Sequence, residues 1–243
     1  MMACRFLLAG VLGTALAPAC AQLGDASLLP EGSHEVRIGA VLANAPAALG
    51  SSKRSTVLLP QFSAEWSNGV FLEGLLLGKQ MSTSSQWKYG PLLALGMAAQ
   101  HGEGDGRTLR PVVGAFLRYR PARELGLQAH VLAPASRAGT GTLLNLSATT
   151  QAGLGPHHWL AFGLGANVAD RAYMQSDFGS ARYRAAGGVR DVFAEARWGW
   201  QLTPKVLLQA SLHASRLQGD AAASPFTRQR SAVANALAFS YSY

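Results

Sequence analysis

Few residues in this chain have side chains suited to chemistry, and their spacing works against it. His157 and His158 are the nearest thing to a metal pair. Neighbours in an extended chain point to opposite faces, so the two cannot readily share an ion. Asp220, Ser224 and His213 supply the residue types of a hydrolase triad, but they match no nucleophile motif, and no Gly-x-Ser-x-Gly elbow occurs. Asp220 followed by Ser224-Pro225 reads more simply as a loop whose carboxylate accepts from nearby backbone N–H groups. Gly102-x-Gly104-x-Gly106 lies in the charged stretch HGEGDGRTLR with no helix behind it, so it reads as a turn and not as a phosphate cradle. The expectation is a chain with no catalytic, cofactor-binding or metal-ligating residue: not an enzyme, and without a cofactor.

The basic residues are the remaining candidates. Arg182 and Arg184 fall within residues 169–189, and Arg190 directly follows that stretch. They could pair with the phosphates of lipopolysaccharide, but solvated loop charges are the simpler reading. A net charge of +8 and a pI near 10.0 make nucleic acid a formal partner. The basic residues are scattered, however, and the N-terminus argues for export, so no nucleic acid is expected.

Export is read from the first 21 residues. Met1 to Arg5 carries one positive charge, Phe6 to Leu16 is an apolar run, and Ala19-Cys20-Ala21 fits a small-x-small cleavage site before Gln22. Lipidation of Cys20 is the competing reading, although Ala17 stands where a lipobox usually has Leu. Removing this segment takes Arg5 away and leaves a net charge of +7. It also removes Cys4 and Cys20, the two cysteines, so the mature chain would carry no thiol, as suits an oxidising periplasm.

The elements that would position these residues are strands. Only 14% of residues are charged while 49% are hydrophobic, a balance suited to an outer surface that meets lipid. No mature segment approaches the roughly 18 apolar residues of a membrane-spanning helix. Val70 to Gly78 and Pro91 to Ala99 are half that length. Period-two alternation dominates instead. Val192, Ala194, Ala196, Trp198, Trp200 and Leu202 form one face, opposite Asp191, Glu195, Arg197, Gly199, Gln201 and Thr203. After Thr203-Pro204-Lys205, a tight turn, Val206 to Ser215 alternates again. Eleven strands are readable, near 33–43, 56–66, 70–78, 89–100, 111–119, 124–133, 142–154, 158–168, 190–202, 205–216 and 231–243. Bacterial single-chain barrels have an even number, so about twelve are expected, the missing one within 70–100. The fold class expected is all-β, a closed antiparallel transmembrane β-barrel over 33–243, after a short periplasmic segment at 22–32.

Ser67-Asn68-Gly69, Arg120 to Arg123 and Thr203 to Lys205 are short connections; 101–110, 169–189 and 217–230 are long. Short turns on one rim and long loops on the other are the barrel asymmetry. It places Thr203 to Lys205 in the periplasm and 169–189 and 217–230 outside. Glu65, Gln128, His130, Gln151, Glu195, Arg197, Gln209 and His213 fall on inward faces, as the lining of a watery pore or as a satisfied polar plug. The last strand brings Leu237, Phe239, Tyr241 and Tyr243 to one face at the terminus, where an aromatic girdle and an assembly signal would lie.

Beyond this pattern, several segments carry a resemblance. Tyr173-Met174 with Asp177-Phe178-Gly179, Ala186 to Val192, Leu217-Gln218-Gly219-Asp220-Ala221 and Ser224-Pro225 resemble the MltA-interacting protein family, also called MipA/OmpV. The likeness is best over 160–243. It weakens upstream, where Leu49-Gly50-Ser51 replaces a Tyr-x-Gly-Ser turn. The resemblance implies an outer-membrane barrel and a scaffold that bridges a lytic transglycosylase and a murein synthase. A diffusion channel or uptake protein for small solutes is the alternative.

Overall fold

The computed structural model describes residues 29–99, 107–135 and 141–243. The expected signal segment, most of the 22–32 segment and the Gly102-x-Gly104-x-Gly106 stretch lie outside the described residues. The chain forms a closed antiparallel barrel in which each strand pairs with its sequence neighbours and the first pairs with the last. The strands are β1 (His34–Pro46), β2 (Arg54–Trp66), β3 (Val70–Glu73), β4 (Leu76–Lys79), β5 (Trp87–Ala99), β6 (Arg107–Ala122), β7 (Leu125–Pro134), β8 (Leu143–Gly153), β9 (His158–Ala169), β10 (Gly188–Thr203), β11 (Val206–Leu217) and β12 (Ser231–Ser242). Two short helices, α1 (Arg171–Phe178) and α2 (Gly219–Ala223), lie in the connections before β10 and β12. Closure runs from Arg37 opposite Ser242 to Asn44 opposite Asn235, so no full-length edge is left at the seam.

Twelve strands is the expected number, and the twelfth comes from the expected region. Val70 to Gly78, read from sequence as one strand, is a hairpin of two four-residue strands folded at Gly74, whose φ is +56°. Apart from Glu73 the run is apolar on both sides of that glycine, so periodicity did not mark the turn; only a residue without Cβ takes this φ at no cost. Other boundaries move as well. β6 begins at Arg107, inside the stretch read as loop 101–110, and β1 extends to Pro46.

An even number of long strands puts both ends of the barrel on one rim, together with the turns at 67–69, 123–124, 154–157 and 204–205. This is the turn rim. The opposite loop rim carries the connections 47–53, 170–187 and 218–230. Alternation sorts the faces as expected. Leu42, Leu58, Phe62, Leu93, Leu164 and Leu237 are exposed on the outside and form an apolar belt. The belt ends toward the turn rim in aromatics: Trp87 stacks on Tyr119 with ring centroids 4.0 Å apart, and Tyr241 meets Tyr243 edge-on at 4.9 Å. Toward the loop rim it ends at polar groups, where the Arg54 guanidinium donates to Asn44 and to the Val233 carbonyl.

Inside, large side chains lie over glycines of the adjacent strand. A Cβ at Gly163 would stand 2.7 Å from Glu195 Cγ, and one at Gly199 would stand 2.1 Å from the Trp159 ring. Neither large inward side chain would fit beside a bulkier neighbour.

Candidate functional site: a capped lumen

The polar side chains predicted to face inward do so, and the structure assembles several of them. Glu195 and Arg197 sit two apart on β10 and therefore point the same way. Their ion pair is 2.7 Å long and nearly buried. On β11, His213 faces the lumen and its ring stacks on Phe193 at 5.1 Å. Glu65, Gln128, His130, Gln151 and Gln209 fall on inward positions of their strands, as the registers require. The polar residues concentrate on β7 to β11. The lining of β12, β1 and β2 is apolar: Ala43 and Ala45 are buried against Val41, Val57, Leu59, Ala234 and Ala236.

The lumen is covered at the loop rim by a small packed cap. Asp170 starts α1 by accepting from Tyr173 N at 2.7 Å, while its other oxygen accepts from Thr142 N at 2.8 Å. One turn apart, Met174 and Phe178 then face the same way. They join Ala169, Ala185, Leu217 and Ala221 in a buried cluster, with Leu49 and Leu143 against it. Hydrogen bonds tie the two long connections together. Ala186 N donates to Asp220 Oδ2 at 2.7 Å, the Tyr183 hydroxyl donates to the Asp220 carbonyl at 2.9 Å, and Ser224 Oγ donates to the Phe178 carbonyl at 2.7 Å. The β1–β2 connection joins them, since Gly50 O accepts from Arg228 N and Gln229 N. From its anchor on β9, α1 crosses the mouth to approach β5.

Beneath the cap lies a polar relay that sequence reading did not foresee. Asn145 donates to Asn167 at 2.9 Å, Asn167 donates to Asp191 at 2.8 Å, and Arg190 Nε donates to Asp191 at 2.5 Å. Arg190 Nη1 then donates to the Tyr173 hydroxyl at 2.9 Å, with the guanidinium 5.5 Å from the Tyr173 ring centroid. The chain of bonds runs from β8 through β9 and β10 into α1. A bulge makes it possible. Val189 pairs with Val168 and Asp191 with Asn167, so Arg190 is the extra residue, and a bulge lets two successive side chains face one way. Arg190, expected to be a solvated loop charge beside Arg182 and Arg184, is instead a 5% exposed strand residue. Arg182 and Arg184 are exposed on the cap. Burial pushes the Tyr173 hydroxyl up to about 12; Arg190 opposes that rise and Asp177 adds to it.

The residues weighed for chemistry are separated. Asp220 and Ser224 hold the cap together, while His213 is in the barrel wall. His158 faces outward and stacks on Trp198 and Trp200 at 5.7 and 5.4 Å; His157 lies in the β8–β9 turn. Among the described residues no group of three or more His, Cys, Asp or Glu could hold a metal ion. On the turn rim a cavity of about 560 Å³ is lined by Glu35, Arg37, His157, Trp159 and Gln201.

Comparison with known proteins bears on this arrangement. A family model described as MltA-interacting protein MipA matches residues 38–243. No curated protein matches. Among solved structures, the NanC porin is similar at 11% identity and a TM-score of 0.44, over 86% of this chain and 99% of that one. The toluene transporter TodX of Pseudomonas putida is similar at 9% and 0.42, over 92% and 93%. OmpT of Vibrio cholerae is similar at 9% and 0.40, over 89% and 100%. The segments that carry the family resemblance, from 173–179, 186–192, 217–221 and 224–225, come together in the cap and the relay below it.

Proposed function

Because the chain belongs to the MltA-interacting protein MipA family, we propose that it is a non-enzymatic outer-membrane scaffold that engages murein-remodelling enzymes from the periplasm. The observation that carries this reading is the cap. A mouth covered by a packed apolar cluster and a buried ion pair is built to stay shut, which favours a scaffold over a diffusion channel for small solutes. Murein lies beneath the outer membrane, so the turn rim is the periplasmic contact surface and the loop rim is external. The belt meets lipid, and the exposed Arg182 and Arg184 are placed for lipopolysaccharide phosphates. A lytic transglycosylase is the first expected partner, in keeping with the family's description, and a murein synthase the second. The chain reaches its membrane by the N-terminal signal, cleaved before Gln22.

A photo-crosslinking residue placed at Lys205 in intact cells should capture a lytic transglycosylase or a murein synthase, and one placed at Arg182 should capture neither. Capture of no murein enzyme from Lys205, His157 or Asn68, which sample three turns of that rim, would refute the scaffold.

A further inference from the structure

Among the described residues, the closed barrel has a short-stranded stretch that leaves its wall incomplete on one side. A strand needs about 9–11 residues to cross the hydrocarbon core, yet β3 and β4 have four each. β3 pairs with β2 only at Ser63, Ala64 and Glu65, and β4 pairs with β5 only at Leu92, Leu93 and Ala94. The tip of the hairpin sits at Gly74 and Leu75, which bond Phe62 O and Leu95 N. Among the described residues, β2 from Arg54 to Gln61 has no ladder partner on this side, and no ladder joins β2 to β5. With strands about 4.8 Å apart, an undistorted wall would leave a notch about 14 Å wide.

Three features say what the notch admits. First, it opens within the apolar belt: Leu58, 71% exposed, and Pro60 lie on the outer face of the unpaired stretch, below the polar limit at Arg54 and Asn44. Only molecules dissolved in the bilayer arrive there. Second, the lumen wall behind it is apolar at Val41, Ala43, Val57 and Leu59, whereas barrel interiors are ordinarily polar. At the base of the notch, inward-facing Gln61 leaves a buried Oε1 with no hydrogen-bond partner. Third, Pro60 has no N–H to offer, a feature of strand edges protected from pairing, so strand addition by another chain is disfavoured.

We propose that this notch is a lateral port through which a single-chain amphiphile in the outer leaflet enters the lumen. Its acyl chain lies along Val41, Val57 and Leu59, and a hydroxyl or protonated carboxyl at its polar end donates to Gln61 Oε1. The cap covers the axial route from the external side, which leaves the wall as the way in from the outer leaflet. This port is independent of any partner bound at the turn rim.

The test uses the full mature protein in phosphatidylethanolamine–phosphatidylglycerol nanodiscs with a diazirine-bearing palmitic acid, followed by peptide mapping of the photo-adducts. Adducts should form on Val57 and Leu59 and disappear with excess unlabelled palmitate, while adducts on outward Leu58 and Phe62 report bulk lipid and persist. Val57→Asn with Leu59→Asn, polar replacements on an inward face that barrels tolerate, should cut the competable labelling roughly tenfold. Heat-modifiable gel mobility verifies that this variant is folded, and Ser147→Asn on the polar sector should leave labelling unchanged. Labelling confined to the outward residues, or inward labelling indifferent to competitor and to the Asn variant, would overturn the port. So would chain-to-chain adducts with Val57 and Leu59 protected, which would assign the notch to a second copy.

Discussion

At the scale of single residues the cap depends on Arg190. It and Asp191 have side chains only 6% and 3% exposed. Removing one partner of a buried pair leaves an uncompensated charge, at a cost of about 3–5 kcal/mol, whereas removing both is far milder. Arg190→Met should therefore loosen the cap and speed proteolysis within 170–187, as should Asp191→Asn. The double variant should be closer to wild type than either single one. Limited proteolysis with mass-spectrometric site mapping would show this, and equal cleavage in all four proteins would deny the relay its role. Tyr173 adds a pH dependence with a definite sign. Its hydroxyl is held neutral up to about 12, above the usual value near 10. The stability it lends is complete below pH 10 and is lost as pH rises from 10 to 12. Ultraviolet titration should find Tyr173 ionising late, with the cap becoming protease-sensitive over the same interval, and Tyr173→Phe should reduce the late step by one tyrosine. Little of this was legible beforehand. Alternation set Asp191 on the face of Glu195 and Arg197, which is inward, but Arg190, at the start of the strand read at 190–202, was grouped with Arg182 and Arg184 as a solvated charge, because a bulge leaves no mark on the hydrophobic period.

At the scale of elements the sequence is far more readable, because a belt facing lipid and a lumen facing water force strict alternation on every long strand. The hairpin of β10 and β11 follows its reading almost residue for residue. Two places resisted. Val70 to Gly78 hides its turn in an apolar run. The cap helices are too short to show a period, although Asp170 followed by Met174 and Phe178 is a capping signal with an i, i+4 apolar pair that could have marked α1. The C-terminal strand carries the clearest prediction at this scale. β12 closes the barrel against β1 and ends in Phe239, Tyr241 and Tyr243. Replacing those three with Ser removes the girdle where the seam must form. Folded protein in the outer membrane should fall severalfold, read as loss of heat-modifiable mobility on a gel; undiminished mobility would show that the terminus does not direct assembly.

For the whole molecule, two rims of different character give the barrel a capped mouth at one end and an open rim at the other. The loop rim is packed and held by the buried pair, and the turn rim offers short turns and an open cavity of about 560 Å³. The family and the barrel could be read from sequence; the shut mouth could not, since the same inward polar residues fit a pore or a plug. The most direct measurement is the single-channel conductance of the purified mature protein in planar bilayers at neutral pH. A capped barrel predicts no stable open step, or only a small one. A large, long-lived conductance from the intact protein would contradict the capped mouth on which the scaffold reading rests.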